Sequence, residues 1–263
     1  DNLMWFSTWN GLSFYDGYQF HTFRDNPDDI DVLSTNRILQ IEPSYNNNVW
    51  CITYDHQLYV YDTHFCQFFA VGQKFNELFN IDLRVSQVYP LKNGATWFTS
   101  GDGKYIIRSV GKAFDERNID LIKVGEKGLR SGNVWYIHRD IHGREWVLTD
   151  KGAYVYNSKF PSQLPFKWLR GVGEDEFLAT EDGKLAKYDL QNRLTMIPMP
   201  EGVTRINQLK NTGYQLLIAT NLGVVIYNPR TFKFDVINVQ SPSQPLAEVK
   251  KIYTDDFGMV WAF

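Results

Sequence analysis

The stretch Trp146-Val147-Leu148-Thr149-Asp150-Lys151-Gly152-Ala153-Tyr154-Val155-Tyr156 sets a register that runs through the chain. A β-forming run led by Trp reaches a Thr. A short polar turn follows, with Gly six residues after the Trp, and a second run closes on Tyr ten residues after it. Trp5, Thr8, Gly11 and Tyr15 repeat the spacing, as do Trp50, Thr53, His56 and, one residue late, Tyr61. Trp97, Ser100, Gly103 and Ile107 come next. Weaker copies are Phe177, Thr180 and Gly183, then Leu217, Thr220, Gly223 and Tyr227, and Trp261 opens a seventh. The leading residues stand 45, 47, 49, 31, 40 and 44 apart. That period suits a unit of four strands, and the 3.6-residue rhythm of a helical solenoid is missing.

The surroundings of each copy read the same way. An apolar run precedes the Trp strand: Ile38-Leu39-Gln40-Ile41, Val85 to Val88, Val134 to Ile137, Val249 to Ile252. Turns rich in Asp and Gly follow it, as in Asp140-Ile141-His142-Gly143 and Asp255-Asp256-Phe257-Gly258. After the Tyr strand come an Asp or Asn turn and an aromatic outer strand such as Phe65 to Phe69. This predicts an all-β chain, a β-propeller of four-stranded antiparallel blades, with 1–263 as one domain. The first strand of each blade is expected to be buried on both faces near the axis. The Trp layer should pack between neighbouring sheets, and the Gly should supply the positive φ of a two-residue hairpin. Lys74 to Phe79 is expected to form a short turn of helix. The amino end supplies three outer strands, five units follow, and the carboxyl end adds an inner strand. Residues 249–255 would then pair with the Trp5 strand and close six blades; the alternative is a seven-bladed ring cut short. The unit at 146–177 leaves little room for an outer strand.

Composition narrows the function. Hydrophobic residues make up 43% and charged residues 22%, which is ordinary for a globular domain. Eight Trp and fifteen Tyr point to ring-filled layers or a binding surface. A net charge of −3 excludes nucleic acid as the main partner, because phosphate binding needs a basic excess. No apolar run has the length of a membrane span. The residues begin and end inside strand-like runs, which predicts a piece of a longer protein. Cys51 and Cys66 fall on the second and fourth strands of one blade, about 9–10 Å apart at two strand spacings. That is too far for a disulfide, so two buried thiols are expected.

The segment Met4-Trp5-Phe6-Ser7-Thr8-Trp9-Asn10-Gly11-Leu12-Ser13-Phe14-Tyr15-Asp16-Gly17-Tyr18 resembles the opening blade of the two-component regulator propeller repeat. Leu33-Ser34-Thr35-Asn36-Arg37-Ile38 resembles the start of the next repeat, and Ile252 to Trp261 fits the same template. Ile107 in place of Tyr, and Phe177 and Leu217 in place of Trp, depart from it. The resemblance implies the periplasmic sensor domain of a hybrid two-component system from glycan-degrading Gram-negative bacteria. Such a domain is part of an inner-membrane protein, ahead of a histidine kinase, a receiver and a DNA-binding module. It implies an oligosaccharide ligand, a neighbouring propeller and an Ig-like domain in the same chain, and a homodimer of the full-length protein. Kinase activity would lie in other segments, and this fragment is expected to be no enzyme, to use no cofactor and to bind no nucleic acid.

Candidate site residues come from the loops beside the first strands. The hairpin loops hold Trp9-Asn10 and Tyr54-Asp55-His56, then Gly101-Asp102, Asp150-Lys151, Glu181-Asp182 and Asn221-Leu222. Arg37, Arg84 and Arg205 stand one residue before three apolar runs, with Asn133 in a fourth. Guanidinium groups converging there would suit an anionic ligand, with Trp9 and Tyr54 as stacking platforms and Asn10 and His56 beside them. The competing structural reading has each Arg answering acidic loops nearby. The repeated Thr8, Thr53, Thr149, Thr180 and Thr220 read as turn-bonding residues, not nucleophiles. His138 and His142 lack a third ligand, so no metal is expected. Asp28-Asp29, Glu174-Asp175-Glu176 and Glu181-Asp182 read as solvated turns. Two other classes remain: a propeller lyase or glycoside hydrolase, which needs a convergent His/Glu/Asp cluster, and a WD40-type scaffold. The Trp-x-x-Thr-x-x-Gly-Leu pattern and the lack of Trp-Asp endings disfavour the scaffold.

Overall fold

The computed structural model describes residues 3–26, 32–44, 47–92, 94–111, 116–156, 165–173, 175–189, 191, 193–237, 248–255 and 258–263. The chain divides into two compact units, Asp1–His138 and Arg139–Phe263. Asp28-Asp29, Glu174 and the turn residues Asp256 and Phe257 lie outside the described residues.

In the first unit, β1 (Met4–Thr8), β2 (Gly11–Tyr15) and β3 (Phe20–Phe23) form one antiparallel sheet. A second holds β4 (Ile38–Pro43), β5 (Val49–Thr53), β6 (Leu58–Asp62) and β7 (Gln67–Ala70) in that order. Helix α1 (Val71–Phe79) leads to a third, made of β8 (Val85–Pro90), β9 (Ala95–Ser100), β10 (Tyr105–Val110) and β11 (Ile119–Lys123). Strand β12 (Val134–Arg139) runs to the boundary. In the second unit, β13 (Glu145–Thr149) and β14 (Gly152–Val155) pair as a hairpin. β15 (Trp168–Val172), β16 (Asp175–Ala179), β17 (Leu185–Tyr188) and β18 (Leu194–Ile197) form a four-stranded sheet. So do β19 (Ile206–Asn211), β20 (Leu216–Thr220), β21 (Gly223–Asn228) and β22 (Lys233–Ile237). Last come β23 (Ile252–Thr254) and β24 (Val260–Ala262), paired with each other.

Every leading Trp, Phe or Leu of the repeat sits on an equivalent strand, and its packing shows why the register is strict. Successive residues of a strand face opposite ways. On β5, Trp50 and Ile52 join Phe98 and Val85 of the following sheet, while Val49 and Cys51 join Leu12 and Tyr61 on the other side. The second unit repeats the arrangement: Trp146 and Leu148 meet Leu178 and Ala186, and Phe177 and Ala179 meet Leu216 and Ile218. Ring pairs mark four contacts between successive sheets, with centroids 5.3 Å apart for Trp5–Tyr61, 5.1 Å for Trp50–Phe98, 5.0 Å for Trp146–Tyr188 and 5.7 Å for Phe177–Tyr227. Helix α1 adds Val71 and Phe75 to the Trp50 cluster, and it begins three residues before the predicted turn. A left-handed Asn80 ends it.

Four expectations need correction. The first strands are edge strands and are not buried on both faces; β8, β12 and β19 bury only positions three apart, Val85 and Val88, Val134 and Ile137, Ile206 and Leu209. It is the strands that follow them, β5, β9, β13 and β20, that are buried throughout, whereas the Trp5 and Trp261 strands at the two ends are largely exposed. β23 pairs with β24 in place of the Trp5 strand, so the carboxyl-terminal residues start a sheet of their own. The outer strand of the second sheet begins at Gln67, because the chain turns through a left-handed Cys66 (φ +54°). Cys66 is therefore exposed, only Cys51 is buried, and both are free thiols.

Candidate ligand-binding loops

The hairpin loops owe their shape to the repeat residues. Thr8, Thr149 and Thr220 donate from Oγ1 to the carbonyls of Gly11, Gly152 and Gly223 at 2.7, 3.0 and 3.0 Å. Each hydroxyl also accepts the second loop N–H, from Asn10, Lys151 and Leu222, all at 3.1 Å. One side chain thus closes both ends of a two-residue turn. Gly11, at φ +119°, starts the return strand in a conformation that a side chain resists. In the second sheet the loop is longer, and His56 takes the left-handed position (φ +62°) that Gly103 holds in the third (φ +67°). The first two loops are bonded to the lead-in of the next sheet: Gly11 N–H to Asn36 O at 2.8 Å, and Val85 N–H to His56 O at 3.0 Å.

The three arginines are structurally equivalent. The carbonyls of Arg37, Arg84 and Arg205 accept N–H bonds from Tyr54, Gly101 and Asn221 at 2.8, 2.7 and 3.4 Å. Directly after each, the ladder slips by one residue, between Ile38 and Gln40, Val85 and Gln87, and Ile206 and Gln208. Such a bulge leaves one residue unpaired and re-aims it. Here it is Leu39, Ser86 or Asn207, and the bulge converts two-residue alternation into the three-residue burial spacing of these strands. The signal was present in the chain as a recurring Arg-(Ile/Val)-x-Gln, a pattern that the Trp-centred reading passed over.

The loops form two cavities in the first unit. One, of about 250 Å³, is lined by Ser7, Thr8, Trp9, Arg37, Ile38, Leu39 and Tyr54. The Arg37 guanidinium carbon lies 5.1 Å from the Trp9 ring centroid and 6.0 Å from that of Tyr54. Trp9 is 76% and Tyr54 58% exposed, so both rings remain open to a ligand. Asn10 is exposed on the same hairpin and does not line the cavity. The second cavity, about 450 Å³, includes His56, Asp82, Arg84, Ser100, Asp102 and Tyr105. Its charges are spoken for: Arg84 Nε lies 3.3 Å from Asp82, and its Nη1 donates to the Asp55 carbonyl at 3.1 Å. His56 Nδ1 is 3.2 Å from the Val85 carbonyl.

Arg205 belongs to the second unit, where its Nη1 lies 3.3 Å from Glu248. Bonds from Asn207 and Arg205 hold the Glu248 carboxyl below its usual range. Glu181 and Asp182 are taken by Lys167 and Lys184 at 2.8 and 2.7 Å. For Arg84 and Arg205, then, the structural reading accounts for the charge. A groove of about 670 Å³ in this unit lies between two outer strands, over Tyr227 and Phe234, with Met196 and Phe232 beside it. No motif in the repeat announced it. Among the described residues no group of three His, Cys, Asp or Glu could hold a metal ion, and no helix is long and apolar enough to cross a membrane.

No family model matches the chain. It is 22% identical over 219 residues to the BTB/POZ domain-containing protein L35 of Acanthamoeba polyphaga mimivirus, covering 78% of this chain and 40% of that protein. Two solved structures assigned to hybrid two-component systems of B. thetaiotaomicron are similar. The extracellular domain of BT4673 aligns with a TM-score of 0.54 at 18% identity, and that of BT3049 with 0.51 at 17%. Each alignment covers 99% of this chain and 37% of the other. A streptogramin B lyase gives 0.51 at 15% identity, over 99% of this chain and 86% of that enzyme. The chain thus spans well under half the length of the sensor domains and of the curated relative. At such identities the likeness shows the fold, and the chain is a β-propeller of four-stranded antiparallel blades, an architecture it has in common with the extracellular domains of hybrid two-component systems and with a lyase.

Proposed function

We propose that the chain is a ligand-sensing extracytoplasmic domain of a hybrid two-component protein, and that it responds to an oligosaccharide. The observation that carries the reading is the Trp9–Arg37–Tyr54 cavity, which sets two exposed rings and a guanidinium at the loops of adjoining sheets. Rings in a concave site offer rigid apolar area to the flat face of a sugar, and a few polar groups fix its orientation. The likeness to extracellular domains of such systems supports the sensor role over turnover. On this reading residues 1–263 act as one propeller of a larger periplasmic ectodomain that includes a further propeller and an Ig-like domain. The parent is anchored in the inner membrane and dimeric, and its histidine kinase lies in another segment. Binding would bias the arrangement of these parts, since a ligand shifts an equilibrium only by its differential affinity for the two states. A thermal-shift screen against an oligosaccharide panel, with chromatography of the same samples, tests the proposal. One glycan class should raise the melting temperature and be recovered intact. Cleaved or eliminated products would point to an enzyme, and a flat response across the panel would remove the carbohydrate assignment.

A further inference from the structure

The three equivalent arginines differ in one respect. Arg84 has Asp82 and the Asp55 carbonyl, and Arg205 has Glu248. The Arg37 guanidinium has neither a hydrogen bond nor an ion pair with any of the described residues; what it meets are the Trp9 and Tyr54 rings. Rings over a guanidinium hold it by its faces. They leave free the N–H donors in its plane, a fork that matches two oxygens of one carboxylate or sulfate. Asp55, next to Tyr54, makes no ion pair with Arg37; its Oδ1 accepts the hydroxyls of Thr53 at 2.5 Å and Ser34 at 3.1 Å.

From this comparison within one chain, and resting on the saccharide-sensing reading above, we infer that the Arg37 cavity selects an acidic saccharide. Its oxyanion sits on the Arg37 fork and its ring lies along Trp9 or Tyr54. The cavity, at about 250 Å³, falls short of the roughly 300 Å³ at which ordinary small-molecule pockets begin, so it takes one charged unit of a longer chain. The remainder has a path along the same loop, where His56 opens into the neighbouring cavity of about 450 Å³. Arg84 and Arg205, already neutralised, contribute structure.

Calorimetric titration separates the sources of the charge. The probes are an oligogalacturonate, a sulfated galactan oligosaccharide and a neutral galactan oligosaccharide of equal length. At least one acidic probe should bind about tenfold or more tightly than the neutral one, as charge-assisted bidentate bonds require, and added salt should shrink the gap. Whether the carboxylate or the sulfate binds more tightly identifies the oxyanion. Arg37→Gln should abolish the preference, Arg37→Lys should restore part of it by keeping the charge without the fork, and Arg84→Gln should leave it within about twofold. Melting temperatures of the variants confirm folding. Equal binding of neutral and acidic probes, or an acid preference that survives Arg37→Gln, overturns the inference while leaving saccharide sensing in place. Silence from all three probes overturns the inference, and the oligosaccharide panel above then decides saccharide sensing by itself.

Discussion

Asp140 shows how much one residue of the repeat can organise. Its Oδ1 accepts the N–H groups of His142 and Arg144 at 3.0 and 2.8 Å. Its Oδ2 accepts Trp146 Nε1 at 3.0 Å and also bonds Arg144 Nε. Burial works to raise this carboxyl, but the bonds from Trp146 and Arg144 outweigh it and hold it below its ordinary 3.8. Removing one partner of a buried charge network costs about 3–5 kcal/mol, so Asp140→Ala should lose about 3 kcal/mol or more in urea unfolding. Asp255 makes the same bond to Trp261 Nε1 at 3.2 Å, but Trp261 is 48% exposed, and Asp255→Ala should cost under about 1 kcal/mol. Because the folded-state value of Asp140 is depressed, its contribution is present above the unfolded value and is lost on acidification. The deficit of Asp140→Asn should therefore shrink as pH falls below about 4. The two cysteines make a further contrast. Burial pushes the Cys51 thiol up to about 12, and Cys66 is exposed. Alkylation of the folded protein near neutral pH, followed by mass spectrometry, should mark Cys66 and spare Cys51.

At the scale of the element, the two-residue hairpins rest on Thr and Gly together. Thr149→Val and Thr220→Val should each cost about 1 kcal/mol, the ordinary net worth of a buried hydrogen bond. Gly11→Ala should cost about 2 kcal/mol or more, since φ is +119° and a Cβ would drive into the Phe23 carbonyl oxygen. These turns were legible in the chain because hydroxyl, spacing and glycine each have one purpose there. The first strands were not. Their apolar runs look like those of a fully buried strand, and nothing in composition distinguishes an edge strand with a bulge. Only the threefold Arg-(Ile/Val)-x-Gln marks the slip, and it becomes readable once Ser86 and Asn207 are seen turned out of the ladder. The later start of β7, at Gln67, is illegible for a related reason, as a left-handed Cys66 has no sequence signature of its own.

For the whole molecule, the Trp register was readable because an inner Trp strand such as β5 packs against other sheets on both faces. Both of its faces are constrained, and few residues satisfy both. Phe177 and Leu217 keep that role with smaller side chains, which is why the spacing survives where the Trp does not. The strand pairing at the carboxyl end was beyond reach, since a three-residue run such as Ile252–Thr254 bonds equally well to any available edge. The candidate site was half legible. Aromatic loops and equivalent arginines could be found, but the neutralisation of Arg84 and Arg205 depends on Asp82 and Glu248, whose side-chain placement no spacing reveals. The proposed sensing role comes down to ligand held at the Trp9–Arg37–Tyr54 loops. Hydrogen–deuterium exchange with and without the oligosaccharide that raises the melting temperature tests this most directly. Slowed exchange confined to residues 8–11, 34–38 and 53–57 is the predicted result. Protection instead at 193–198 and 227–234, around the groove over Tyr227 and Phe234, would contradict it.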